Sequence, residues 1–202
     1  MDDLRLEYER RHAGCLILMA HHLQEFIANH FVTLPRIDRI SARAKSVDRF
    51  LKKASKTDQS GNPKYTDPLN QIQDQLGARI VTFYKHDVET VAARVEQFFR
   101  SVEKRVVVPD SPHEFGYEGQ HFILFIPEDL LDDLSRAAGA PLFFELQVKT
   151  LFQHAWGEAE HDLGYKPATQ LTRDQKRRVA FTSAQAWGAD QMFQELFNEL
   201  SA

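Results

Sequence analysis

From Phe144 to Lys149 apolar and polar side chains alternate without a break, Phe144, Leu146 and Val148 on one face and Glu145, Gln147 and Lys149 on the other. The alternation predicts a strand over residues 142–148. Core packing explains the apolar row, but nothing structural asks for a carboxylate, an amide and an ammonium in line on the opposite face, so that row is a candidate site. Helical spacing of Leu16, Met19, Leu23, Phe26 and Ile27 predicts a long first helix from about Leu4 to Phe31, with Pro35 beyond its end. Residues 46–56 have helical character and set Lys45, Arg49 and Lys53 four apart on one face. Turn formers crowd residues 55–68, which read as a mobile loop and a candidate lid.

Further along, residues 78–84 read as a buried strand, 86–102 as an amphipathic helix, 104–108 as a short strand and 120–126 as another. Residues 150–163 and 173–200 read as helices, the last packing through Val179, Phe181, Ala184, Trp187, Met192 and Leu196. Irregular interleaving of strands and helices predicts an α+β fold, a mixed sheet of about four or five strands flanked by helices. At 202 residues and 43% hydrophobic composition the chain suits one domain over residues 1–202, with an N-terminal helix (1–34), a core (36–166) and a C-terminal helix (173–200).

Charge sharpens this picture. The net charge is −4, yet residues 36–56 hold eight basic residues against Asp38 and Asp48, a local balance of +6 that leaves −10 for the rest. Such concentration favours a polyanionic partner. The single cysteine, Cys15, excludes an intramolecular disulfide and suits a reducing compartment. The N-terminus lacks a signal-peptide pattern, and the apolar run 15–20 is too short to cross a bilayer, so a cytoplasmic protein without a membrane span is expected.

Four polar groups recur around the expected sheet: Arg43, Lys45 and Ser46 with Lys53 two turns on; Asp74, Gly77 and Arg79; Gly116, Tyr117 and His121; and Glu145, Gln147, Lys149 and Thr150, followed by His154, Trp156, Glu160, His161, Asp162, Tyr165 and Lys166. In order and spacing they resemble the synthetase domain of the RelA/SpoT family, which makes the alarmones pppGpp and ppGpp. The resemblance runs from about Arg39 to Lys166. It implies a nucleotidyltransferase-like fold and a pyrophosphokinase that moves the β,γ-diphosphate of ATP to the 3′-hydroxyl of GDP or GTP and releases AMP. It also implies roles: Arg43, Lys45, Ser46, Arg49, Lys53 and Arg79 around ATP, Asp74 and Glu145 on Mg²⁺ with Glu145 alternatively activating the hydroxyl, and Tyr117, His121, Gln147 and Lys149 around the acceptor.

Phosphoryl chemistry gives the same residue types a reason, because transfer gathers negative charge on phosphate oxygens and depends on positioned cations. Mg²⁺ takes oxygen ligands, commonly one or two carboxylates with substrate phosphates. The chain departs from the family pattern mostly on the acceptor side. Arg49 stands where serine is frequent, Lys149 where arginine is usual, and residues 112–115 replace a lysine-bearing loop. Gly119 replaces a serine. Two alternatives follow: a toxic relative acting on adenosine nucleotides or the 3′ end of tRNA, and a nucleotide-binding regulator without catalysis. His154, Glu158 and His161 share a helical face, but the spacing is not HExxH and no cysteine joins them, so zinc is not inferred. Trp156 and Trp187 read as core. The Walker and protein-kinase signatures are absent. A hydrolase domain is not expected before Arg43, and the long terminal helices offer surfaces for a homo-oligomer.

Overall fold

The structure is a computed structural model and describes residues 2–111, 114–116, 118–165 and 171–201. Two α-helices, α1 (Asp2–Arg11) and α2 (Ile17–Phe31), run on through a π-helical turn at His12–Leu16, matching the long first helix expected. The turn carries Gly14, a poor helix former, and leaves Cys15 and Leu16 buried. Beyond α2 the chain reverses at Arg36, which has φ 59°, and its guanidinium is clamped by Asp87 through contacts of 2.7–3.0 Å. That bidentate pair holds a backbone conformation that a non-glycine residue seldom adopts.

Five strands form one sheet in the order β1-β2-β5-β4-β3: β1 (Ile37–Ala44), β2 (Leu76–Thr82), β3 (Ser101–Val107), β4 (Gly119–Phe125) and β5 (Phe143–Thr150). Only the β2–β5 pair is parallel; the other three are antiparallel, giving the mixed sheet expected. The central strand β5 buries Phe144, Leu146 and Val148 completely, against Ile80 of β2 and Phe122 and Leu124 of β4. Helix α2 and helix α5 (Lys85–Phe98) cover this apolar face, contributing Met19, Leu23, Ile27, Val88, Val91 and Val95.

Strand β1 has no counterpart among the strands expected from the pattern. Ile40, Ala42 and Ala44 face the core side while Ser41 and Arg43 face away, and the bulge between Ile37 and Arg39 interrupts the alternation. Half of this strand is polar because its outer face belongs to a cleft. Helix α5 ends at Phe98 rather than Val102, since Phe99 turns to extended geometry and β-branched Val102 joins β3. Within the loop expected at residues 55–68, residues 56–64 form a small hairpin: Thr57 bridges Pro63, Asp58 accepts the Ser60 and Asn62 N–H groups, and Gly61 takes φ 83° at the tip.

Helices α3 (Val47–Ala54), α4 (Pro68–Gln71) and α6 (Asp133–Ala137) are short, whereas α7 (Leu151–Tyr165) and α8 (Arg173–Ser201) are long. Helix α8 corrects the expected packing. Phe181, Met192 and Leu196 are half or more exposed and Trp187 is 42% exposed, while the buried side chains of α8 are Ser183 and Asp190. The helix meets α7 through Phe193 stacked on Phe152 and α5 through Phe197 beside His86, while Phe181, Met192 and Leu196 face outward.

Candidate active site

The second face of the sheet carries the polar row. The registers Gly77 with Glu145 and Arg79 with Gln147 set β2 beside β5, Arg43 lies opposite Gly77, and His121 lies opposite Gln147. These residues and α3 surround a cleft made of two connected hollows of about 470 and 600 Å³. Both hollows share Arg43, Lys45, Arg49, Asp74, Arg79, Glu145 and Gln147. Ser46 lines the first, and Lys53 and Lys149 the second. Eleven of the twelve expected site residues therefore lie on or directly behind one surface. Tyr117 lies outside the described residues.

Asp74 sits in a 3₁₀ turn just before β2, where its Oδ2 receives both Lys45 Nζ and Lys53 Nζ at 2.9 Å. Burial pushes its carboxyl up, but the two ammonium groups outweigh that and hold it below the usual carboxylate range. The turn is fixed from behind. The buried Gln75 amide donates to the Leu69 and Ile72 carbonyls at 2.8 and 3.0 Å, and Arg11 donates to Leu69 O at 2.7 Å. The Lys45 N–H donates to Gln75 O at 2.8 Å, and Tyr8 OH donates to Lys45 O at 2.8 Å while stacking on Phe50. Helix α1 thus holds the β1–α3 corner. Tyr8 and Arg11 were not legible as supports of the site because their partners are remote in sequence.

Glu145 lies at the cleft floor. His121 Nδ1 is 3.1 Å from its Oε1, and Gln147 Nε2 donates to its Oε2 at 3.2 Å. A carboxylate only accepts, so Nδ1 carries the proton. Burial raises the Glu145 carboxyl and the His121 contact lowers it, with a net shift downward. His121 therefore belongs to the site by touching Glu145.

Arg79 is held by α7: its Nη1 lies 2.9 Å from Glu158 Oε1 and 3.3 Å from His154 Nδ1. His154 and Glu158 are thus partners of a cleft arginine, a role that their shared helical face signals only once α7 is packed on β2. Among the described residues no group of three His, Cys, Asp or Glu side chains gathers as a metal cluster. Burial lowers the Lys149 ammonium to about 8, assisted by Arg79 and Arg43. Arg43 is lowered by burial and by Arg49 and Arg79. Cations thus crowd one another here. Among the described residues the larger hollow is lined by eight cationic side chains against four carboxylates, in a protein of net charge −4. Such a cleft favours a polyanion.

Two buried atoms lining the cleft lack hydrogen-bond partners, Asp74 Oδ1 and Arg79 Nε. An orphan acceptor beside Glu145 fits a hard cation that takes one or two carboxylates and fills its remaining positions with water and phosphate oxygens. The orphan donor fits an anion.

Residues 42–170 match the sequence model described as "Region found in RelA / SpoT proteins". The curated protein GTP pyrophosphokinase YjbM of Bacillus subtilis (strain 168) is 26% identical over 170 residues, covering 81% of this chain and 74% of the relative. The crystal structure of small alarmone synthetase 1 from Bacillus subtilis superposes with a TM-score of 0.74 at 22% identity, covering 90% of this chain and 92% of the other. The same enzyme bound to its product pppGpp gives 0.73 at 21% identity, over 91% and 93% of the two chains. The structure of smu.1046c from Streptococcus mutans UA159 gives 0.73 at 25% identity, over 91% of each.

Proposed function

The chain belongs to the RelA/SpoT family, and from that premise we propose that it is a small alarmone synthetase, transferring the β,γ-diphosphate of ATP to the 3′-hydroxyl of GDP or GTP and releasing AMP. The observation that carries the reading is the mutual crowding of Arg43, Arg79 and Lys149 over a floor carboxylate, a charge arrangement relieved by a bound polyphosphate. In the reaction the acceptor oxygen bonds to the β-phosphorus as the bridge to the α-phosphate breaks. Lys45, Lys53, Arg43 and Arg79 neutralise the triphosphate, and Ser46 and Arg49 line the cleft beside them.

Glu145 is ionised at neutral pH and oriented through both oxygens, so it can take the hydroxyl proton. His121 and Gln147 then act chiefly by fixing that carboxylate, and Lys149 meets the acceptor's phosphates. Asp74 and Glu145 are the groups that would hold Mg²⁺. Bound there, the ion would offset charge on the polyphosphate. Tyr117 is proposed as the platform for the guanine, and a cytoplasmic location is proposed with it, in keeping with nucleotide substrates. Among the described residues no helix is long and apolar enough to cross a membrane.

The deciding experiment supplies labelled ATP and Mg²⁺ with GDP, GTP, ADP, AMP or tRNA separately, following AMP release and labelled product. Transfer to GDP or GTP is expected, and Glu145→Gln abolishes it. Transfer confined to adenosine nucleotides or tRNA would overturn the acceptor assignment, and nucleotide binding without AMP release would overturn the enzyme.

A further inference from the structure

We infer that helix α8 carries positioning residues for the acceptor side of the cleft, with Ser183 fastening the segment before β4 and Asp190 fastening the β5–α7 junction. The inference rests on the synthetase reading above. It concerns a helix that lies wholly beyond residues 42–170, the stretch matched to the family.

Ser183 and Asp190 are seven residues apart, two turns of one helical face, and both are almost fully buried while Phe181, Met192 and Leu196 stay exposed. A helix that buries a hydroxyl and a carboxylate more deeply than any of its large apolar groups is using its inner face for specific bonds. Ser183 Oγ donates to Gly116 O at 2.9 Å, and Trp187 meets the Phe115 ring at 5.7 Å in an edge-on arrangement. Phe115 and Gly116 directly precede Tyr117.

At the other contact, Thr150 Oγ1 donates to Asp190 Oδ2 at 2.7 Å. Thr150 ends the strand that carries Glu145, Gln147 and Lys149, and it also opens α7. Its Oγ1 accepts the Gln153 N–H at 3.1 Å, and its own N–H donates to Gln153 Oε1 at 2.9 Å. This reciprocal cap sets the start of the helix that delivers His154 and Glu158 to Arg79. Trp156 Nε1 donates to Thr182 Oγ1 at 3.1 Å, a third tie made by α8, this one to α7 itself. Asp190 Oδ1 has no partner, and burial raises its carboxyl to about 6. An unfavourably buried carboxyl gains nothing from apolar packing, and its one hydrogen bond goes to Thr150, with the Lys85 charge also favouring it.

The test compares wild type with Ser183→Ala, Asp190→Ala and Asp190→Asn in the full chain, measuring KM for GDP and ATP separately and hydrogen exchange of residues 114–120. Ser183→Ala should raise the GDP KM about fivefold with the ATP KM within about twofold; Asp190→Ala, whose junction also sets α7 against Arg79, should raise both constants, and Asp190→Asn, which keeps an acceptor for Thr150, should restore them. Exchange over 114–120 should quicken in Ser183→Ala. An unchanged GDP KM in Ser183→Ala, or Asp190→Asn as impaired as Asp190→Ala, would overturn the inference. Should Asp190→Ala fail to fold, those two outcomes still decide. If wild type transfers nothing, the synthetase reading has failed, and the exchange comparison then decides the fastening alone, faster exchange supporting it and unchanged exchange overturning it.

Discussion

On the ATP side of the cleft, the cations at residues 43–53 and Arg79 with Asp74 come from two short stretches whose strands lie side by side, so local spacing already sets most of their geometry. The proposed acceptor side is gathered from the segment before β4, the end of β5, the start of α7 and the distant helix α8. The difference teaches that a subsite held by neighbours in sequence can be read from a motif. One held by remote helices is tuned by residues that no motif contains.

The largest expected effect breaks both sides together. Glu145→Gln should lower transfer by about 10³-fold, with circular dichroism and melting temperature close to wild type, because the isosteric amide keeps the packing but cannot take a proton. Next, Lys53→Ala should separate the sides, raising the ATP KM about 10- to 100-fold through loss of a charged contact while the GDP KM holds. A rise in both constants would show that the two sides are not independent.

Lys149 allows a pH test of the acceptor side. Its ammonium titrates at about 8, below the ordinary lysine value, so its charge is present at neutral pH and lost as the pH rises through 8. kcat/KM should then fall about tenfold between pH 8 and 9.5, and Lys149→Arg should keep its plateau over that range, since arginine stays charged.

The smallest effect concerns stability. Asp190 is raised from 3.8 to about 6 by burial, with Glu118 adding to the rise and Lys85 and the Thr150 hydroxyl opposing it. A carboxyl raised on folding contributes stability below its unfolded pKa and loses it as the pH climbs through the folded one. Asp190→Asn should therefore be more stable than wild type at pH 8 by about 1–2 kcal/mol, and the gap should close below about pH 4. Urea unfolding at the two pH values measures this.

Strands β2, β4 and β5 and the first helix were legible because each pairs a regular period with a nearly all-apolar buried face. Strand β1 was not, because Ser41 and Arg43 belong to the cleft and its inward residues are mainly alanines, so its strand character appears only beside β2. The carboxylates and cations of the site were legible from residue type and spacing. The supports Tyr8, Arg11, Ser183 and Asp190 carried no local signal, since each acts on a backbone or side-chain group distant in the chain.

By itself, then, the sequence determined the mixed sheet's central strands, the polar row on β5 and the chemistry of a cationic cleft with two carboxylates, because alternation and charge are local properties. Only the tertiary structure decided that Asp74 sits between Lys45 and Lys53, that His121 orients Glu145, and that α8 turns its apolar stripe outward. Those outcomes depend on which surfaces meet, and a helix's buried face is chosen by the partner it packs against.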